Sequence, residues 1–273
     1  MLSAIEIERY LKDDLINTFG PDESRAIIRE IIHCFCYSSP GLSHDELESI
    51  RQRILNHEPV AYITGRCHFA TLELNVSPAV FIPRPETEEL VFLIKERLTP
   101  YRYQHLKALD VGTGSGAIAI ALKKFFPAFA ITAIDISQQA LAVARENALQ
   151  HHTPVEFHCI NILETDVWNS FDVVVSNPPY VPFSEKETMD KAVVNYEPHE
   201  ALFVSNSDPL LFYKKIIDLS TGGLCRPEGW LFFEVHYQHG QHLLPLMHSA
   251  GFHQVELLKD LSGNYRFVIA RKR

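Results

Sequence analysis

The sequence predicts an α/β fold, a mostly parallel sheet covered by helices on both faces, preceded by a small helical bundle. Three observations lead there. From Leu106 onward, short apolar runs alternate with segments of helical length, the pattern of strand–helix–strand units. A glycine-rich turn, Gly112-Thr113-Gly114-Ser115-Gly116, stands where the first of these runs gives way to a helix. The N-terminal segment up to Asn56 carries helical periodicity and helix caps but no strand-like alternation.

In the bundle, Ser3 can cap a first helix ending near Phe19, with Gly20 as its stop and Pro21 after it. A second apolar-periodic run extends from Asp22 to Tyr37 through Ile27, Ile28, Ile31, Ile32 and Phe35. Ser38-Ser39-Pro40-Gly41 is a break. Ser43 and Glu46 then form a capping-box pattern for a third helix ending near Asn56. The alternation over Thr71–Val76 predicts a half-buried strand, Ser77-Pro78 a turn, and Ala79–Ile82 a second strand, together a hairpin. Glu86–Leu98 is helical. The strands of the main sheet are expected at Leu106–Val111, Ala130–Asp135, Val155–Ile160, Phe171–Ser176, Trp230–Val235 and Tyr265–Ala270. Helices are expected at Ala117–Phe125, Gln138–Leu149, Pro209–Leu219 and Gln238–Ala250. A short strand at Gln254–Leu258 and the turn residues Gly263-Asn264 predict a closing antiparallel pair.

The net charge of −9 argues against a duplex DNA binder, which normally presents a basic face. Cys34, Cys36, Cys67, Cys159 and Cys225 are scattered and form no CxxC pair, so neither a disulfide framework nor a cysteine zinc site is expected. The N-terminus carries Glu6, Glu8, Asp13 and Asp14 and lacks the basic start and apolar run of a secretory signal. No apolar stretch approaches the roughly 18 residues of a membrane span. A cytoplasmic, monomeric protein is the expectation.

The glycine loop, Asp110-Val111-Gly112-Thr113-Gly114-Ser115-Gly116, lies at the carboxyl end of the first strand, where open α/β sheets bind ligands. Alternate glycines let the backbone turn sharply and approach a ligand. Asp135 ends the next strand, about 20 residues on, the usual place for a carboxylate that accepts ribose hydroxyls. Two cofactor classes share this geometry. A dinucleotide site wants GxGxxG so that pyrophosphate reaches the helix N-terminus. The spacing here is GxGxG with an aspartate before it. That carboxylate would repel pyrophosphate and suits the cationic amino-acid end of S-adenosylmethionine.

Asn177-Pro178-Pro179-Tyr180 follows the strand Phe171–Ser176, on the same sheet edge as the glycine loop. Methyl transfer from a sulfonium requires an in-line nucleophile, so positioning is a main task of the site. An amide or aromatic amine is a poor nucleophile because its lone pair is delocalised. The Asn177 side-chain oxygen and the Pro178 carbonyl are suitable acceptors for the two N–H bonds of such a group. Prolines stiffen the loop, and Tyr180 can lay its face on a planar amide or base. The motif marks methylation of a planar nitrogen; which nitrogen it leaves open.

These residues, with Glu58-Pro59-Val60-Ala61-Tyr62-Ile63-Thr64-Gly65, Phe81-Ile82-Pro83-Arg84-Pro85-Glu86-Thr87-Glu88-Glu89-Leu90, Asp135-Ile136-Ser137, Tyr196-Glu197-Pro198 and Lys259-Asp260-Leu261-Ser262-Gly263, closely resemble the HemK/PrmC family over nearly the whole chain. That family methylates N5 of the glutamine in the GGQ motif of class I peptide chain release factors. The Pro-Arg-Pro-Glu-Thr-Glu segment resembles the release-factor group rather than the sister group acting on a ribosomal protein. The resemblance implies a seven-stranded Rossmann-like class I methyltransferase domain at 86–273, a β-hairpin linker at 67–85 and an N-terminal helical substrate-docking domain at 1–66. It implies that Gly112, Thr113, Gly114, Ser115 and Gly116 hold the methionine part of S-adenosylmethionine, and Asp135 the ribose. Asn161 and Ile162 would lie by the adenine, with Phe81 and Pro83 lining the cavity. Asn177, Pro178, Pro179 and Tyr180 would hold the glutamine, with Asn177 also bordering the cofactor and Asn177, Pro178 and Tyr180 forming the catalytic group. S-adenosylhomocysteine would be the product, and the GGQ loop of a release factor the partner, without stable nucleic-acid or membrane binding. The chain departs from the family at Asn161, an aspartate in many relatives, at Phe203–Pro209 in place of a glycine-rich turn, and at Glu234-Val235-His236 in place of Glu-x-Gly.

Among the 14 histidines, His239 and His242 fall on one helical face, but no acidic partner has ligand-like spacing, so no metal is expected. Arg84 reads either as structural or as a contact to substrate or cofactor. Two other functions compete. An adenine-N6 nucleic-acid methyltransferase could use the same Asn-Pro-Pro-Tyr loop, but it must unstack a base and hold phosphates, and no basic recognition region accompanies the loop. A silent binding scaffold is hard to reconcile with intact Asp110, Asp135, Asn177 and Tyr180.

Overall fold

The computed structural model describes residues 2–37, 41–166 and 169–273. The chain forms two compact units, Met1–Arg66 with Asp190–Tyr196, and Cys67–Met189 with Glu197–Arg273.

The first unit is helical: α1 Ala4–Phe19, α2 Pro21–Ile32, α3 His44–Leu55 and α4 Val60–Thr64. Both expected capping boxes form: the Ser3 and Ser43 hydroxyls accept from the Glu6 and Glu46 amides, and each glutamate accepts from the cap backbone in return. Gly20, at φ 79°, passes the chain straight into α2, with Pro21 in its first turn. Past α2 the helix widens to i→i+5 bonding over His33–Tyr37. The expected break begins at Ser38-Ser39-Pro40, outside the described residues. Ile7, Leu11 and Leu15, one face of α1, meet Ile27, Ile31, Leu47 and Ile50 in the core. The segment Asp190–Tyr196 joins this unit, and the Tyr196 hydroxyl donates to the Asn56 carbonyl at 3.0 Å.

The second unit opens with a two-stranded sheet, β1 Arg66–Phe69 and β2 Leu72–Asn75, followed by α5 Pro85–Leu98. This corrects the expected hairpin. Its second strand is not Ala79–Ile82 but lies upstream, and the reversal falls at Ala70, at φ 53°. Over 77–82 the backbone donors are committed elsewhere. The Val80 amide donates to the Ser77 carbonyl at 3.0 Å, closing a turn, and the Ile82 amide to the Glu197 carboxylate at 3.2 Å.

Next come β3 Lys107–Val111, α6 Ala117–Phe125, β4 Ala130–Asp135, α7 Gln138–Gln150, β5 Val155–Cys159 and β6 Phe171–Ser176. The short strands β7 Val181–Pro182 and β8 Phe203–Val204 pair parallel, with α8 Lys191–Tyr196 between them in sequence; none of the three was expected. Then follow α9 Leu211–Thr221, β9 Cys225–Glu234, α10 Gly240–Ser249, β10 Phe252–Lys259 and β11 Tyr265–Lys272. β9 starts earlier than its apolar run, because a register shift against β6 absorbs Pro227-Glu228-Gly229.

The seven-stranded sheet has the order β10-β11-β9-β6-β3-β4-β5. The pairs from β9 to β5 are parallel, and β11 is antiparallel to both its neighbours, the expected closing pair. Side-chain alternation loads both faces. Val173, Val175 and Phe232 enter the core beneath α5 and α6, whereas Val174, Leu231 and Phe233 enter the core beneath α9 and α10. The order turns back at β3, which has β4 on one side and β6 on the other. Loops leaving β3 and β6 therefore diverge and open a crevice at the carboxyl edge.

Candidate active site

The register puts Val111 opposite Ser176, and the Ser176 hydroxyl donates to the Val111 carbonyl at 2.7 Å. Gly112 and Asn177 thus leave adjacent strands side by side, within one inter-strand spacing of about 4.8 Å at the point of departure. The two motifs share one crevice.

The glycine loop is shaped by backbone conformation. Gly112 and Gly114 have φ of 76° and 54°, and a Cβ on either would meet nothing within 4 Å. Gly116, at φ 83°, is different: a Cβ there would come within 3.1 Å of Ile120 Cδ1 and 3.2 Å of Ala144 Cβ. The first two glycines leave room for a ligand, and the third lets the loop pack on α7. Gly116→Ala combines left-handed strain with that clash and should cost about 1–3 kcal/mol, measurable by denaturant unfolding; unchanged stability would refute the packing argument. Asn147, fully buried on α7, braces the loop by donating to the Ser115 and Asn75 carbonyls, each at 2.9 Å, and accepting from the Asn75 amide at 2.7 Å.

Two carboxylates flank the loop. Asp110 Oδ2 accepts from the Thr113 hydroxyl at 2.7 Å and the Ala119 amide at 3.2 Å. Its Oδ1 is buried with no partner among the described residues. Burial pushes this carboxyl up to about 7, against the two hydrogen bonds and with the repulsion of Asp135. Asp135 accepts from the Gly114 amide through Oδ2 and from the Ser137 amide through Oδ1, each at 2.9 Å. Burial raises its pKa too, and those backbone donors oppose the shift. Beyond β5, the Ile160 amide donates to the Asp135 carbonyl at 2.9 Å, which brings Asn161 and Ile162 to the same edge. The Asn161 side-chain oxygen accepts from the Leu163 amide at 3.0 Å, closing a turn, and Ile162 is buried.

Phe81 and Pro83 lie in the loop before α5. The Arg84 guanidinium sits 4.6 Å from the Phe81 ring centroid and pairs with Glu197, a carboxylate with a 1% exposed side chain that also takes the Ile82 amide. Through these contacts Arg84 clamps this loop.

The Asn-Pro-Pro-Tyr loop is held from behind by two residues that sequence reasoning did not assign. The Asn177 side-chain NH2 donates to the Thr87 hydroxyl at 3.1 Å, and that hydroxyl donates to Glu234 Oε2 at 2.7 Å. The Tyr180 hydroxyl donates to Glu234 Oε1 at 3.3 Å. Glu234 is 2% exposed, and burial pushes it up to about 7 against the pull of Thr87, Arg266 and Tyr180. Burial and the glutamate also raise the Tyr180 phenol, which stays protonated. This chain fixes the Asn177 amide. An ionised Glu234 only accepts, so the Thr87 proton must point at it, and Thr87 can then only accept from Asn177. Asn177 Oδ1 consequently faces away from Thr87. Neither it nor the Pro178 carbonyl has a hydrogen-bond partner among the described residues. A signal for both braces was present: Thr87 lies in the Pro-Arg-Pro-Glu-Thr-Glu run, and Glu234 ends an apolar strand.

A family model described as "Methyltransferase small domain" matches residues 90–197. The chain is 43% identical to the release factor glutamine methyltransferase of Flavobacterium psychrophilum over 84% of its own length and 83% of the relative's. It is 36% identical to the enzyme of the same name from Bacteroides thetaiotaomicron over 97% and 99%. Among solved structures, the catalytic domain of hMettl16 in complex with the MAT2A 3'UTR hairpin 6 shares the fold, with a TM-score of 0.57 at 17% identity over 74% of this chain and 76% of that one. With relatives of one name spanning nearly its full length, the chain belongs to the release factor glutamine methyltransferase family.

Proposed function

We propose that this chain transfers a methyl group from S-adenosylmethionine to the N5 side-chain nitrogen of the GGQ-motif glutamine in class I peptide chain release factors. The observation that carries the reading is the fixed Asn177 amide beside the unpaired Pro178 carbonyl. Together they offer two acceptors to a primary amide. Glutamine supplies two N–H donors to match. Once both are held, the amide plane is fixed and the nitrogen lone pair can be turned toward the crevice. Tyr180, anchored through Glu234, offers a ring face to the flat amide. The methylated nitrogen afterwards loses its extra proton to water or a nearby acceptor, so no strong base is needed.

The residues at the glycine loop fit the cofactor. Gly112 and Gly114 leave space, and the unpartnered Asp110 oxygen leaves negative potential behind the loop for the cationic amino-acid end. When bound, S-adenosylmethionine supplies an electrophilic methyl on a sulfonium. Asp135 retains lone pairs for the ribose hydroxyls, and Asn161 and Ile162 border the adenine side. Phe81 and Pro83 close the cavity ahead of α5.

Transfer of labelled methyl from S-adenosylmethionine into a purified release factor tests the reading. Incorporation should vanish when the GGQ glutamine is replaced; equal labelling of that variant would overturn the assignment. Cofactor binding should also be linked to protons. Asp110 is pushed up to about 7, and a cation at the loop favours its ionised form. Binding below that pH therefore releases a proton, and affinity rises with pH until Asp110 is ionised, by up to about tenfold per unit of pKa displacement. Calorimetry in buffers of different ionisation enthalpy measures this. Asp110→Asn should flatten the dependence; an unchanged slope in that variant would contradict it.

The helical unit carries no chemistry of its own and is assigned to docking the release factor. Hydrogen exchange on the full chain should show protection in α1–α3 when a release factor is added. Protection confined to residues 67–273 would exclude that role.

A further inference from the structure

Behind the substrate loop, three side chains that the transfer reaction does not use converge. His236 and His239 project from one turn, closed by the His239 amide donating to the His236 carbonyl at 2.9 Å. Their rings lie 5.0 Å apart by centroid. Glu185, far away in sequence, arrives on the short helical turn Phe183–Thr188, and its Oε2 is 3.4 Å from His236 Nε2. One ligand atom from each of the three lies within 4.8 Å of the others. The His239 Nε2 is buried and has no hydrogen-bond partner among the described residues. His239 thus carries a buried, unpartnered ring nitrogen in a cluster with a second imidazole and a carboxylate.

The geometry points to a site for one divalent transition-metal ion of the zinc class, held by Glu185, His236 and His239. Zinc binds imidazole nitrogen and carboxylate oxygen at about 2.0–2.2 Å, so adjacent ligands of a tetrahedral site stand about 3.4 Å apart. The Glu185–His236 edge already has that length, and the His239 ligand atom lies within 4.8 Å of the other two. Two imidazoles and one carboxylate suit zinc, cobalt or nickel better than magnesium or calcium, which prefer all-oxygen shells. A water completes the fourth position. The ion replaces the proton between His236 Nε2 and Glu185. It puts the imidazole proton on His236 Nδ1, giving up the long 3.4 Å contact that this nitrogen accepts from the Gln238 amide. Arg266, whose charge bears on His236, is itself paired with Asp260 at 3.2 Å.

The ion is a clamp, not a participant in transfer. It ties the turn that follows the Asn-Pro-Pro-Tyr loop to the start of α10, and the His236 ring it fixes lies 5.9 Å by centroid from the Tyr180 ring.

The test is a titration of the untagged, full-length protein with Co2+, read by the visible absorption of tetrahedral cobalt, and with Zn2+ by equilibrium dialysis. One ion should bind per chain and raise the thermal midpoint. Glu185→Gln and His239→Ala should each lose the ion and the thermal shift while keeping the metal-free midpoint of the parent. If His239→Ala fails to fold, Glu185→Gln, which preserves shape, decides alone. No bound ion in the parent, or an ion retained by Glu185→Gln, overturns the site.

Discussion

Asn177→Ala is expected to lower methyl transfer by about 10²–10³-fold, the range for removing one preorganised polar contact at a reacting group. Cofactor affinity should stay within a few-fold, because the glycine loop and both flanking aspartates stand on other strands. The fall belongs in kcat rather than in KM for S-adenosylmethionine, since the lost acceptor orients the nucleophile. Asn177→Asp is the informative companion. It keeps an acceptor but loses the NH2 that Thr87 fixes, so it should recover only part of the rate. Labelled-methyl kinetics and calorimetry on the same preparations separate the two effects. A fully active Asn177→Ala would remove the residue from the mechanism.

Thr87→Val should reduce kcat by roughly 10²-fold without touching either ligand, the scale expected when a reacting group is displaced by about 1 Å. The valine cannot accept from Asn177, and it leaves Glu234 Oε2 without its 2.7 Å donor. Removing that buried partner should also cost about 1–3 kcal/mol of stability. Two readouts separate positioning from damage. Thr87→Ser restores the hydroxyl and should rescue the rate. The double variant with Asn177→Ala should be little slower than Asn177→Ala alone, because both substitutions break one chain.

The pH profile gives a third readout. Glu234 is pushed up to about 7. Below that pH it carries a proton and can donate to Thr87, which frees the threonine proton for Asn177 and turns the amide the wrong way. Above it the carboxylate only accepts and the productive orientation is enforced. Activity should therefore rise with pH through about 7, and Thr87→Val should lose that limb. The stability term has the opposite sign. The folded pKa lies above the unfolded value, so the native state holds the extra proton between about pH 4.5 and 7. This residue's contribution to stability falls as pH rises through that window.

Much of this was legible in the sequence because it was carried by period and by caps. Both capping boxes, the alternation of strands with helices and the closing antiparallel pair are local patterns, and each appears where it was read. The hairpin was misplaced because its reversal at Ala70 uses none of the usual turn residues, whereas Ser77-Pro78 advertises a turn that leads into no strand. The candidate site divides in the same way. Its two loops are contiguous motifs at strand ends and could be seen. Their supports could not, because Thr87 and Glu234 meet Asn177 only through tertiary packing across 90 and 57 positions of chain. Glu185 is the same case: no spacing rule links it to His236 and His239, and only the fold brings it there.

Peptide mapping by mass spectrometry of a class I release factor, after incubation with this protein and S-adenosylmethionine, tests the central claim most directly. The account predicts one added methyl, located on the side-chain nitrogen of the GGQ glutamine, and none when the same incubation is run with Asn177→Ala. An unmodified GGQ glutamine, with a protein shown by calorimetry to bind the cofactor, would contradict it.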